Sequence, residues 1–74
     1  MKATIENKPI GEQSFVNRIL YVIKIAKNRE ELKSSMYSIF SVCYDSDAFI
    51  YGFGGSHMWV ANKEGGERII FVEL

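Results

Sequence analysis

Ser56 and His57 adjoin, and Asp45 and Asp47 lie a short way upstream, so the chain holds the residue types of a nucleophile–base–acid triad. Chemistry of that kind needs the hydroxyl and the imidazole on one side of the backbone. If His57 opens a strand, neighbouring side chains point to opposite faces and the pair cannot meet. A chain of 74 residues also leaves little room for a substrate cleft. His57 therefore reads as a polar edge, no residue is assigned a catalytic role, and the protein is expected not to be an enzyme. Gly52-Phe53-Gly54-Gly55 has the glycine content of a phosphate loop, but such loops join a strand to a helix, and this one lies between strands. Asp45 and Asp47 are the composition of a turn more than of a metal site. Cys43 falls on an apolar helical stripe with acidic Asp45 nearby and reads as buried filler. One Cys and one His build neither a disulfide nor a zinc site of the usual ligands, so no metal or cofactor is expected. Lys24, Lys27, Arg29 and Lys33 form a basic cluster, balanced by Glu30 and Glu31, and read as solvated.

The elements that must position these residues form one small domain, residues 1–74. A domain of this size buries only roughly 60% of its unfolded surface, so it gains from a partner when disulfides and metals are absent. Lys plus Arg equals Asp plus Glu, nine each, which argues against a nucleic-acid binder and mildly favours association. Hydrophobic residues make up 47% of the chain, which excludes a disordered one. No apolar run is long enough to span a membrane, and the opening residues lack a leader's apolar core, so a cytoplasmic location is expected.

Lys2 to Glu6 alternates weakly and suits a short N-terminal strand, followed by a turn at Asn7-Lys8-Pro9-Ile10-Gly11. Residues 12–28 carry two signals. Phe15, Val16, Ile19, Leu20, Val22, Ile23 and Ala26 share a helical face, whereas the β-branched content favours a strand. Asn28 with Glu31 makes a capping-box pattern, and Leu32, Met36, Ile39, Phe40 and Cys43 follow at helical spacing, so a helix is predicted over 29–44. Asp45-Ser46-Asp47 turns the chain. Three strands follow at about 48–53, 57–62 and 67–73. Gly54-Gly55 suits a two-residue hairpin turn at positive φ, and Lys63-Glu64-Gly65-Gly66 suits a second turn. The expected fold is α+β, with one or two helices packed on a C-terminal three-stranded antiparallel meander and a short N-terminal strand. The alternative order is ββαβββ, with residues 15–26 as a strand.

Strand alternation places Phe49, Tyr51, Phe53, Met58, Val60, Ile69 and Phe71 on one face. That face is expected to receive Leu32, Met36, Ile39 and Phe40. The other face carries Ala48, Ile50, Gly52, His57, Trp59, Ala61, Arg68, Ile70 and Val72. Antiparallel sheets commonly keep one face wet, yet only His57 and Arg68 are polar here. Trp, His and Arg amid apolar residues have the composition of an interaction hot spot. The partner-binding residues are therefore read as Trp59, His57, Ile50, Arg68, Ile70 and Val72. Three arrangements stay open: the face is covered by the N-terminal strand or first helix and Trp59 is ordinary core; it seals a homodimer; or it binds a protein partner.

The hairpin Trp59-Val60-Ala61-Asn62-Lys63-Glu64-Gly65-Gly66-Glu67-Arg68 resembles a hairpin in small phage-encoded anti-CRISPR inhibitors of type I-F systems, through Trp59, Ala61, Lys63, Glu64, Gly66 and Arg68. The resemblance covers about a seventh of the chain. It implies a strand-strand-helix-strand-strand-strand order and a non-enzymatic inhibitor that occupies the surface of a nucleic-acid-guided host complex. Zero net charge argues against direct mimicry of nucleic acid, which calls for a strongly acidic chain. The function expected is a protein-interaction module.

Overall fold

A computed structural model describes all 74 residues. The chain runs β1 (Lys2–Ile5), α1 (Gln13–Ile25), α2 (Arg29–Val42), a 3-10 turn (Tyr44–Ala48), β2 (Phe49–Phe53), β3 (His57–Asn62) and β4 (Arg68–Glu73). The strands make one antiparallel sheet in the order β1-β4-β3-β2, so the first strand closes on the last beside the predicted meander. Both helices pack on one face of it. The α+β class is as expected. Residues 15–25 lie in α1 and Ala26 caps it, so the ββαβββ order does not occur. In α1 the apolar face outweighs the β-branched content, because Phe15, Val16, Ile19 and Ile23 all reach the core at helical spacing.

α2 begins where the capping pattern places it. The Asn28 side chain accepts the Glu31 backbone N–H at 2.8 Å, while Glu31 Oε1 accepts from Lys27 N rather than from Asn28 N. The helix ends at Val42. Its C-terminal carbonyls are met by Ser46, a buried residue whose hydroxyl donates to Cys43 O (2.6 Å) and Phe40 O (3.2 Å). Leu32 and Met36 are fully buried, and Ile39 and Phe40 pack half-buried at the margin. The Phe40 ring lies 4.4 Å from that of Tyr51 and 5.3 Å from that of Phe15, which in turn stacks on Phe49.

The β2–β3 turn falls one residue later than predicted. Gly54 N–H bonds to His57 O at 2.9 Å, which leaves Gly55-Ser56 at the tip, and neither Gly54 nor Gly55 has positive φ. Moving the turn by one residue pairs Phe53 with Met58 and Tyr51 with Val60, and keeps both on the helix-covered face. The second turn, Lys63 to Gly66, is closed by Asn62 N–H to Glu67 O, with Gly65 and Gly66 at φ 83 and 70.

β4 departs from the predicted faces. The register is Val60↔Ile70 and then Ala61↔Arg68, so Ile69 is an extra residue, a bulge. Ile69 and Ile70 are both fully buried, and every residue after them has changed sides. Ile70 and Val72, expected on the partner-binding face, are fully buried in the core. Phe71, expected in the core, lies on the opposite face.

Asn62 is a further core element, 1% exposed, whose Oδ1 accepts the Ile10 N–H at 2.8 Å and fastens the loop before α1. The Arg29 guanidinium, placed in a solvated cluster by sequence, instead donates to Gly54 O (2.7 Å) and Gly55 O (2.9 Å) and lies over the Phe53 ring. It ties the start of α2 to the β2–β3 turn.

Ile19 tests this architecture. It is completely buried in α1 on the sheet, so Ile19→Ala should destabilise by about 2–5 kcal/mol in denaturant melts. A residue on a merely grazing helix would lose well under half of that.

The candidate interaction face

The face away from the helices is covered by nothing in the chain. Trp59 is half-buried, and it belongs neither to the core cluster nor to the residues packed against that cluster. Residues 1–26 do not lie over it, since β1 joins the sheet at its edge and α1 sits on the other side. Trp59 is therefore not ordinary core. From β2 to β1 the open face carries Ile50, His57, Trp59, Ala61, Arg68, Phe71 and Glu73, then Lys2 and Thr4. Of the sequence-assigned residues, Trp59, His57, Ile50 and Arg68 are brought together here. Ile70 and Val72 are not. Phe71 and Glu73 were missed, because nothing in the sequence marks the bulge.

Local packing holds the aromatic rings in place. The Trp59 indole lies flat over Gly52, so closely that a Cβ there would stand 2.5 Å from Cζ2. Gly52 thus seats the ring and leaves no open dip. The His57 ring covers Gly54 in the same way and stacks on Phe71, with ring centroids 5.3 Å apart. The Arg68 guanidinium lies over Phe71 at 4.5 Å. Between Trp59 and Arg68 a cleft of about 260 Å³ is floored by Ala61 and flanked by Ile50, which is 38% exposed.

Arg68 is itself clamped. Its Nη2 donates to Glu6 Oε2 at 2.8 Å and its Nε to Glu6 Oε1, a bidentate pair. Asn7 Nδ2 donates to its carbonyl. The hydrogen bond from Arg68 holds the Glu6 carboxyl below the usual range, with the opposite charge adding and partial desolvation opposing. The same contact raises Arg68 above its ordinary value.

The other chemical candidates do not converge. Ser56 is exposed at the hairpin tip and His57 stacks on Phe71, while Asp45 and Asp47 sit in the 3-10 turn at the opposite end of β2. No three of His, Cys, Asp and Glu gather into a metal-holding group. Cys43 packs half-buried against the core, and its Sγ accepts from the Arg18 guanidinium. No helix is long and apolar enough to cross a membrane.

Two measurements check this geometry. Gly52→Ala should displace the indole, because the added methyl occupies its position. With a single Trp in the chain, the emission maximum should move to the red while the far-UV spectrum is kept. The Glu6–Arg68 pair should add stability at neutral pH and lose it as pH falls below 4.5 through the depressed Glu6 value. The melting-temperature gap between wild type and Glu6→Gln should then be present at pH 7 and close in acid.

No curated protein and no solved structure matches the chain. A family model matches residues 1–72. The chain belongs to that family, DUF8466, a domain of unknown function.

Proposed function

We propose that the protein is a non-enzymatic interaction module that binds a protein partner through the open face centred on Trp59. The observation that carries this reading is the uncovered cluster of Trp59, His57, Phe71 and Arg68, held in place by the sheet itself. Large aromatics fixed before binding bring contact area with little entropy to lose, and Trp and Arg are the residues most enriched at hot spots. The charges around the cluster balance, Lys2 and Arg68 against Glu6 and Glu73, which leaves no basic track for a phosphate backbone and suits a protein surface. The separation of Ser56 and His57 from Asp45 and Asp47 supports binding over catalysis. The likeness of the 59–68 hairpin to type I-F inhibitors supports a specific form of this role, a small inhibitor that occupies the surface of a host complex.

The test is a binding measurement with two variants. Trp59→Ala should lose about 2 kcal/mol or more of partner affinity, with a melting temperature close to wild type. Lys63→Ala, at the β3–β4 turn, should bind normally. If Trp59→Ala unfolds the free protein, or a partner binds both variants equally, the reading fails. Self-association through the same face is the competing arrangement. It would appear by light scattering as a dimer that Trp59→Ala dissolves.

A further inference from the structure

β1 is an edge strand, paired on one side only and exposed along its whole length. The Glu6 N–H bonds to Ile69 O at 2.8 Å, so strand alternation turns the backbone groups of Thr4 and Lys2 towards β4 as well. Ala3 and Ile5 turn theirs outward, to the free edge. Side chains alternate across the sheet plane. Lys2, Thr4 and Glu6 lie on the open face, Ala3 and Ile5 on the helix side. Ile5 is 66% exposed, a large apolar residue with nothing over it. Ala3, two residues away, borders an unfilled cleft of about 290 Å³ beside Leu20 and Ile23 of α1.

We propose that this edge pairs antiparallel with β1 of a second copy of the chain, about a two-fold axis through Thr4. Only even registers bring outward-facing backbone groups together, which leaves three centres on this short strand. An axis at Ala3 sets Lys2 against Thr4, and one at Ile5 sets Thr4 against Glu6. An axis at Thr4 sets Lys2 against the partner's Glu6, twice by symmetry, and Thr4 against the partner's Thr4. Opposite charges and threonine pairs are favourable cross-strand neighbours. The same axis sets Ala3 against the partner's Ile5, so all four outward backbone groups of these two residues find partners. On the helix side it carries exposed Ile5 to the partner's Ala3, where the cleft is. Charge, hydrogen bonding and side-chain size thus agree on one register, and the surface is complementary to itself, as a two-fold interface requires. Lysine on an edge is the usual guard against stray strand pairing. Here Lys2, already opposite Glu73 of its own β4, gains the partner's Glu6, the residue just after β1 that also holds Arg68. The pairing joins two sheets into one of eight strands and leaves both Trp59 faces free on the same side.

The proposal is tested by mass in solution, with the chain titrated from micromolar to millimolar. The wild type should rise from 8.5 kDa towards twice 8.5 kDa, about 17 kDa. Lys2→Glu alone and Glu6→Lys alone each set like charges opposite one another and should stay monomeric. Mixed in equal amounts they should return to the dimer mass, since each then meets its opposite at both ends. Ile5→Pro removes an outward N–H, which edge strands tolerate, together with the exposed isoleucine, and should stay monomeric with a melting temperature close to wild type. Trp59→Ala should dimerise as the wild type does, so this proposal and the open-face reading fail separately. A wild type that stays monomeric at millimolar concentration overturns the proposal. So does a dimer that survives Lys2→Glu and Ile5→Pro, or a folded Lys2→Glu and Glu6→Lys pair that remains monomeric when mixed.

Discussion

The bulge between Val60 and Ala61 decides which side chains of β4 meet the helices and which meet solvent. A regular strand would send Arg68 and Phe71, three residues apart, to opposite faces. The extra residue Ile69 lets both stand on one face, and the cation over the ring is a direct result. It also turns Ile70 and Val72 inward, where they complete the core with Ile19, Met36 and Met58. β1 pairs only with β4, so its own faces follow. Thr4 shares the side of Phe71, and Glu6 comes within reach of Arg68 because of it. One inserted residue therefore sets the core, the aromatic cluster and the ion pair together.

The two glycines in and beside the β2–β3 ladder act in the opposite sense, by what they leave out. Gly52 and Gly54 weaken the hairpin locally, because glycine has more chain entropy to lose and no side chain to pack. The Trp59 and His57 rings lie across them and restore the missing contacts. This arrangement fixes two rings that would otherwise sample several rotamers in water. A surface ordered in the free protein gives up less freedom on binding, and more of its contact energy appears as affinity. Arg29 works beside it from the helix side by bonding the Gly54 and Gly55 carbonyls. The hairpin under the aromatic cluster is thus braced from both faces.

How much of this was legible depends on whether a feature is periodic. α2 was readable because Asn28 caps and the stripe from Leu32 onward are local signals with one interpretation. α1 is ambiguous because most of its apolar residues are β-branched, while their spacing is helical. The faces of β2 and β3 survived an error in the turn, since moving the turn by one residue shifts each pairing by two and preserves parity. β4 had no such protection. Ile69-Ile70 looks the same in sequence whether one of them is inward or both are, so strand alternation puts Ile70 and Val72 on the partner-binding face and Phe71 in the core. Arg29 and Asn62 were illegible for another reason. Their partners, the Gly54 and Gly55 carbonyls and the Ile10 N–H, lie far along the chain and only tertiary structure brings them near.

The two edges of the sheet are managed differently, and that difference bears on how the protein meets others. The β2 edge is followed at its far end by a turn that Arg29 clamps, and it is preceded by a 3-10 turn whose Ala48 carbonyl accepts the Lys63 N–H. β1 has one lysine as its guard and an exposed isoleucine on its helix side. Edge strands left in this state are sites of strand addition unless their charges forbid it. Lys2 of β1 and Glu6 just after it are complementary to the same two residues of a second copy. Strand addition extends a sheet in its plane, whereas the aromatic cluster faces out of that plane. The two surfaces meet at Glu6, which holds Arg68 and lies at the seam, but the aromatic rings take no part in the strand pairing and stay open when the edge is occupied. Doubling the sheet would present two Trp59 clusters on a single side, so a partner with a repeated or two-fold surface would meet both at once and gain avidity without any new kind of contact.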